Sequence, residues 1–264
     1  PATIGDTVAQ IKTPALVVDL DALEANLETM ARAVAASGLR LRPHAKSHKC
    51  PALAAMQILR GAVGICCQKT DEAAAFVEAG IGDVLVTNEV IAPAKLARLA
   101  ALARRARIGV LCDDRRAVHA LSEAAVAAQV TLDVYVEVDV GAHRCGVAPG
   151  APVAALARAI ADAPGLVFAG LQCYEGSAQH LRLPEQRRAA IDAAARAAIV
   201  SRDACTSAGL RVDRITGAGT GTFELEMANG LWNELQPGSY VFMDADYSRN
   251  ALVAGAHDFR QSLF

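Results

Sequence analysis

Aromatic side chains are scarce in this chain: six Phe, four Tyr and one Trp make up 4% of its 264 residues. The core is therefore expected to be aliphatic and the surface helices, rich in alanine, to be simple. No run of about 18 apolar residues occurs, so the sequence offers no conventional membrane-spanning helix. Charge of either sign is not in excess, with 26 basic against 28 acidic residues. That balance gives no electrostatic reason to expect nucleic acid or an anionic membrane as partner. The densest basic run, RLAALARRAR (98–107), reads as the solvated face of a helix. The seven cysteines (50, 66, 67, 112, 145, 173, 205) show no CxxC spacing, and several lie inside apolar runs. Cysteine there behaves as a small hydrophobe, which argues against a disulfide framework or a zinc knuckle and for a reducing cytoplasm. No secretory signal pattern opens the sequence, and cytoplasmic localisation is the expectation.

What is present is alternation. Hydrophobic content is 53% and charged content 20%, the profile of a globular chain. Short β-like runs recur at 41–46, 63–67, 83–87, 108–112, 132–140, 166–174, 214–219 and 234–242, separated by alanine-rich helical stretches. Regular βα alternation implies a parallel sheet, and eight units most simply close into a (β/α)8 TIM barrel. A doubly wound open sheet is the alternative, but no GxGxxG follows the first strand. A further run, TPALVVDL (13–20), precedes the eight and leads into a helix that Asp19 or Asp21 caps and Gly38 ends. Beyond Phe242 the sequence continues to an apolar end at Phe264. The expected organisation is an N-terminal strand over 1–20 that pairs with a C-terminal β domain. A barrel follows over 21–242, and 243–264 form the start of that second, truncated domain.

In a barrel, chemistry gathers at the C-terminal ends of the strands. Reading those ends gives Lys46, Gln68, Thr70, Asn88, Asp113, Arg144, Tyr174, the turn GAGTGT (217–222) and QPGSY (236–240). If 42–48 is extended, His44, Lys46 and His48 share one face. An ammonium facing the barrel mouth beside imidazoles should lose its proton more readily than a free lysine, leaving the neutral amine that Schiff-base chemistry needs. A lysine that merely snorkels to solvent is the competing reading. Glycine-rich turns after late barrel strands offer backbone amides to phosphate, and here two adjacent loops do so. An amine on the first strand facing phosphate loops on the seventh and eighth fits pyridoxal 5′-phosphate, whose aldehyde and phosphate lie at opposite ends of one ring.

Seven segments, TPALVVDLDALEANL, LRPHAKSHK, GICCQKTDEA, EVDVGAHRCGV, GLQCYEGSAQH, GAGTGTFE and ELQPGSYVFMDADY, cover nearly the whole chain in order. In them the chain resembles the alanine-racemase-like, fold type III pyridoxal-phosphate enzymes. Within these it is most similar to the group of D-threonine aldolase, D-serine dehydratase and 3-hydroxy-D-aspartate aldolase, with the last branch favoured.

The resemblance implies Lys46 as the Schiff-base lysine, Arg144 near the cofactor's phenolic oxygen, and Tyr174 stacked on the ring. It implies phosphate contacts from Gly219, Thr220, Gly221, Gly238, Ser239 and Tyr240, and Gln236 where racemases place an arginine beside the ring nitrogen. Gln68 and His180 are pocket candidates, His180 also as a catalytic base. Glu175 stands where relatives carry a histidine. The activity implied is cleavage of 3-hydroxy-D-aspartate to glycine and glyoxylate. D-threonine cleavage and a dehydratase acting on D-serine or 3-hydroxyaspartate are the alternatives, as is a non-catalytic cofactor-binding protein. A divalent metal, Mg or Mn, is expected from the absent C-terminal domain, so no metal ligand is assigned; adjacent His257 and Asp258 point to opposite faces of a strand. Asp244 and Asp246 read as turn caps and His119 as peripheral. A homodimer is expected.

Overall fold

The computed structural model describes residues 2–253 and 255–264. Among the described residues, eight α-helices and eight strands alternate along the chain. Helix α1 (Leu20–Ser37) precedes β1 (Arg40–Leu41), α2 (Pro51–Leu59) precedes β2 (Ile65–Cys67), and α3 (Thr70–Glu78) precedes β3 (Asp83–Glu89). Then come α4 (Pro93–Leu102), β4 (Arg107–Cys112), α5 (Arg115–Ala128), β5 (Leu132–Glu137), α6 (Ala151–Asp162) and β6 (Leu166–Gln172). Helix α7 (Pro184–Ser207), β7 (Ile215–Gly217), α8 (Phe223–Asn229) and β8 (Glu234–Leu235) complete the series. Local chemistry sets the helix ends. Asp19, not Asp21, caps α1 by accepting the Ala22 N–H at 3.0 Å, and Gly38 closes it in the left-handed conformation at φ 70°. Proline opens α2, α4 and α7 at the start of the helix, where a missing N–H costs nothing.

All neighbouring strands are parallel, in the order β1-β8-β7-β6-β5-β4-β3-β2. The ring closes between β1 and β2 through a bridge from His44 to Cys66, with the Cys66 N–H donating to the Pro43 carbonyl at 2.8 Å. The (β/α)8 barrel expected from the alternation is the fold. Alternation along the strands divides the core in two. Cys66, Leu85, Leu111, Tyr135 and Ala169, one from each of β2 to β6, form a small cluster of their own in the lumen. Their neighbours Cys67, Val84, Val86, Val110, Val134 and Val136 join the large cluster under the helices. The adjacent thiols of Cys66 and Cys67 thus serve opposite layers as apolar filling, and both are fully buried.

The first and last of the expected strands are much shorter than their apolar runs. The first stops at Leu41 and turns into a 3-10 segment over Ala45–Ser47, so 42–48 is not extended throughout. The last stops at Leu235 and turns over Ser239–Val241. Pro43 and Pro237 stand at these departures, and neither has an N–H to give a ladder. The curl of both segments carries Lys46 and Ser239 over the barrel mouth. Near the start of the chain, Val17 and Phe264 exchange backbone hydrogen bonds at 2.9 Å each, and Asp19 N–H donates to the Ser262 carbonyl at 2.9 Å. Asn26 of α1 fixes the tail from the other side, bonding the carbonyls of Val241 and Arg260 at 3.2 and 2.7 Å.

The closed seam holds a buried ion cluster. Glu234 is fully buried and accepts from Arg42 at 2.8 Å and Arg40 at 3.1 Å, while Arg42 reaches Asp83 at 2.6 Å. A Cβ on Gly64 would lie 2.6 Å from the Arg42 guanidinium, so only glycine lets the arginine pass. Burial alone would raise the Glu234 carboxyl, but Arg42 and Arg40 outweigh it and hold the group below the ordinary range. Its contribution is complete above the usual carboxylate pKa and is lost as pH falls through the lowered value. Replacing Glu234→Ala leaves Arg42 buried without its main partner. The expected loss is about 3–5 kcal/mol in urea unfolding at neutral pH. That difference from wild type should shrink as the medium is acidified below the ordinary carboxylate range.

Candidate active site

A cavity of about 190 Å3 opens at the C-terminal end of the barrel. Nine of the sequence candidates line it: Lys46, Gln68, Arg144, Tyr174, Gly219, Thr220, Gln236, Gly238 and Ser239. Lys46 rides on the 3-10 turn that follows β1. Its N–H donates to His44 Nδ1 at 3.3 Å, which leaves the ring proton on Nε2 facing Thr87 Oγ1 at 2.8 Å. Thr87 passes its own hydroxyl proton to the Cys67 carbonyl at 3.2 Å. His44 stays neutral, because burial, and then the nearby charges of Lys46, His48 and Arg144, push its pKa well below the usual value. Ser47 ties the same turn to the β8 loop by donating to the Gly238 carbonyl at 3.1 Å. A Cβ on Gly238 would meet the His44 carbonyl at 2.5 Å, so the two loops touch only because a glycine stands there.

The Lys46 amine lies 5.9 Å from the centre of the Tyr174 ring, and the Arg144 guanidinium lies 5.9 Å from the same ring. Lys46 is open to the cavity, yet protein surrounds its ammonium on most sides. For a charge on a concave wall the surrounding protein matters more than contact with a few waters. Burial, followed by Arg144, lowers its pKa and favours the free amine. Arg144 leans on Glu137 of β5 at 3.5 Å. Glu137 is itself pushed up to about 8, first by burial and then by Glu89, with Arg144 opposing. The long ion-pair distance agrees with a carboxyl that is only partly ionised near neutrality. Glu89, Glu137 and Cys145 bring potential ligand atoms within 4.8 Å of one another, a grouping that sequence spacing gives no hint of.

Two buried amides span the floor. Gln172 and Gln236 exchange hydrogen bonds at 2.9 and 3.0 Å. Gln172, Thr87, Ser47, Ala218 and Tyr247 line the cavity without having been singled out from the sequence. Gln172 had a signal, since it lies two residues before Tyr174 on the same strand face. Tyr247 closes the ELQPGSYVFMDADY segment and arrives from the tail beyond the barrel, where no strand period places it at the mouth.

Three candidates stand apart from the cavity. The Gly221 N–H is taken by Gln179 Oε1 at 2.9 Å. Tyr240 is 1% exposed, its N–H bound to Thr220 Oγ1 at 3.0 Å and its hydroxyl accepting from Gln57 at 2.9 Å. His180 faces solvent and pairs with Asp246 at 2.7 Å. Glu175 is spent on its own turn, accepting the Ser177 N–H at 2.9 Å. Asp244 caps the turn at 246–247 by accepting two backbone amides, and exposed His119 pairs with Glu123 at 3.1 Å. His257 bonds Glu224 at 2.5 Å.

An amine biased toward its free base, an aromatic face and a guanidinium thus share one cavity with two glycine-bearing loops. Among the described residues, the N–H groups of Gly219, Thr220, Gly238 and Ser239 have no acceptor within the chain. That set fits a molecule with an aldehyde at one end and a phosphate at the other. The model of the alanine racemase N-terminal domain matches residues 18–246, and the chain belongs to this family, the fold type III pyridoxal-phosphate enzymes.

The chain is similar to D-threonine aldolase from Arthrobacter sp., 49% identical over 264 residues, all of this chain and 69% of that protein. It is similar to 3-hydroxy-D-aspartate aldolase from Paracoccus denitrificans, 46% identical over 94% of this chain and 65% of the relative. The crystal structure of D-threonine aldolase from Filomicrobium marinum superposes with a TM-score of 0.96 at 51% identity, over 97% of this chain and 70% of that one. The chain thus spans 65–69% of the length of these two curated relatives. Among the described residues, no helix is long and apolar enough to cross a membrane.

The proximity of Arg144 makes a measurable demand on Lys46. Arg144→Met removes a neighbouring positive charge, so the Lys46 amine should hold its proton to higher pH. In the cofactor-free protein, 13C-methyl NMR of the reductively methylated lysines should show the Lys46 titration move upward in the variant.

Proposed function

We propose that this chain carries the cofactor-binding barrel of a pyridoxal-phosphate-dependent aldolase acting on D-configured 3-hydroxy amino acids. The favoured reaction is 3-hydroxy-D-aspartate to glycine and glyoxylate. The observation that carries the reading is the position of Lys46, an amine of lowered basicity in one cavity with the free amides of two late-strand loops. The aldolase names of the relatives support the reaction class, and the CCQK and GSAQH segments support the hydroxyaspartate branch. D-threonine is the second substrate reading, favoured by the name of the relative that is 49% identical.

Pyridoxal 5′-phosphate, when bound, supplies an aldehyde for amines and a ring that withdraws electrons from the substrate's Cα. The chain's own groups prepare for it. Lys46 presents Nζ as a nucleophile, kept basic enough to take a proton and free enough to give it up. Arg144 holds a positive charge at the mouth for developing or resident negative charge, and Tyr174 provides one flat apolar wall. Gly219, Thr220, Gly238 and Ser239 are the residues to hold the phosphate, through main-chain donors that need no desolvated cation. Gln236, locked to Gln172, offers neither a carboxylate nor a cation, so this wall does little to deepen the ring's electron demand.

His180 lies outside the cavity and is not assigned the proton transfer at the substrate hydroxyl. In this reading a divalent metal, Mg or Mn, held by the part of the relatives that these 264 residues do not span, would lower the pKa of the substrate hydroxyl, and the base that takes its proton is not assigned to a residue of this chain. The same reading makes the whole protein a cytoplasmic homodimer.

Borohydride reduction of the holoenzyme should link cofactor covalently to Lys46, as seen by mass spectrometry of the peptide, and Lys46→Ala should abolish the adduct. With 3-hydroxy-D-aspartate the product should be glyoxylate rather than oxaloacetate, and with D-threonine it should be acetaldehyde. Oxaloacetate with ammonia would instead mark a dehydratase, and no turnover in a fully loaded protein would mark a binding protein.

A further inference from the structure

The glycine-rich turn keeps its amides toward the cavity because another side chain occupies its far side. Gln179 sits on a 3-10 turn after β6 and is 1% exposed. Its Oε1 accepts the Gly221 N–H at 2.9 Å. Its Nε2 donates to Thr222 Oγ1 at 2.8 Å and to the Glu175 carbonyl at 3.3 Å. Its own main-chain carbonyl is held by Asn250 Nδ2 at 3.0 Å, so the clamp is itself clamped. A Cβ on Gly219 would stand 2.3 Å from Gln179 Oε1, which shows how closely the amide is pressed against the turn.

This contact sorts the donors of the turn. Gly221 is bound from behind, while among the described residues the N–H groups of Gly219 and Thr220 are left without an acceptor. Thr220 uses its hydroxyl on the Tyr240 N–H at 3.0 Å, which fastens the turn to the β8 loop on the other flank. Behind Gln179 the chain of bonds runs through the Thr222 hydroxyl to Glu226 Oε1 at 2.9 Å. Burial pushes the Glu226 carboxyl up to about 8, so this group carries little negative charge at neutral pH. A neutral amide with both donor and acceptor is what this position requires. A carboxylate would satisfy Gly221 but face the Thr222 oxygen without a proton to give.

We propose that Gln179 is the positioning residue that fixes the glycine-rich turn so that the Gly219 and Thr220 amides receive the phosphate of the cofactor. The proposal rests on the pyridoxal-phosphate reading of the cavity. Gln179 acts through the turn and touches neither the ring nor the aldehyde end, so its effect must fall on the phosphate alone.

Equilibrium titration of the cofactor-free protein with pyridoxal 5′-phosphate and with pyridoxal, which lacks the phosphate, tests this. Wild type should favour the phosphorylated form by roughly a hundredfold or more. Gln179→Met should weaken pyridoxal 5′-phosphate by roughly tenfold and leave pyridoxal unchanged, and Gln179→Glu should weaken it further through added negative charge. Thermal unfolding confirms that each variant is folded. A folded variant with the wild-type preference intact overturns the role of Gln179. So does loss of the fold in both variants, or an equal loss for both ligands, because either outcome means general support of the barrel. If wild type itself does not discriminate between the two ligands, the phosphate reading of the turns fails instead.

Discussion

The buried Glu234 carboxylate is the joint on which the site depends. The first and last strands meet along only two residue pairs, Arg40 with Glu234 and Leu41 with Leu235. So short a ladder is weak fastening for the two segments that carry Lys46 and Ser239. Glu234 supplements it from inside the barrel by drawing Arg40 and Arg42 of the first strand onto the eighth, and Arg42 extends the hold to Asp83 on the third. A buried pair of this kind is weak evidence for stability, since an apolar replacement of the same shape can do as well. It does specify which strands meet and in what register. Register here decides whether the amine and the phosphate loops face one cavity or two.

Above that seam the electrostatics are arranged to keep one cation weakly protonated. Lys46 and Arg144 face the same phenol ring, and burial with Arg144 outweighs the opposing pull of Glu72 on the amine. His44, which in ionised form would add a third positive charge, is held neutral by burial and has both ring nitrogens engaged. Glu137, the carboxylate nearest Arg144, is only partly ionised near neutral pH. Arg144 therefore keeps much of its charge for what enters the cavity.

The long strands were legible from the sequence because the physics there is local. The runs at 83–87 and 108–112 fall within β3 and β4, where consecutive valines, leucines and cysteine are buried on both faces. The first and eighth were overdrawn because apolar content continues past the point where a proline removes the ladder donor. For the site, nine positions were readable from motifs whose residue type is itself the chemistry, such as an amine or a glycine. Gly221, Tyr240 and His180 stand apart from the cavity because their neighbours decide the matter: Gln179 claims one amide, Thr220 and Gln57 claim the tyrosine, and Asp246 draws the histidine outward. Those partners lie 20 to 183 residues away along the chain for the tyrosine alone, beyond any periodicity.

The Gln172–Gln236 pair has a consequence of its own. Each side chain gives one proton and takes one, so rotating both terminal groups together by half a turn yields the same two bonds with oxygen and nitrogen exchanged. The couple has no preferred polarity. It can turn either a lone pair or a hydrogen toward the cavity, and a single wall thereby suits either protonation state of a ring nitrogen placed against it.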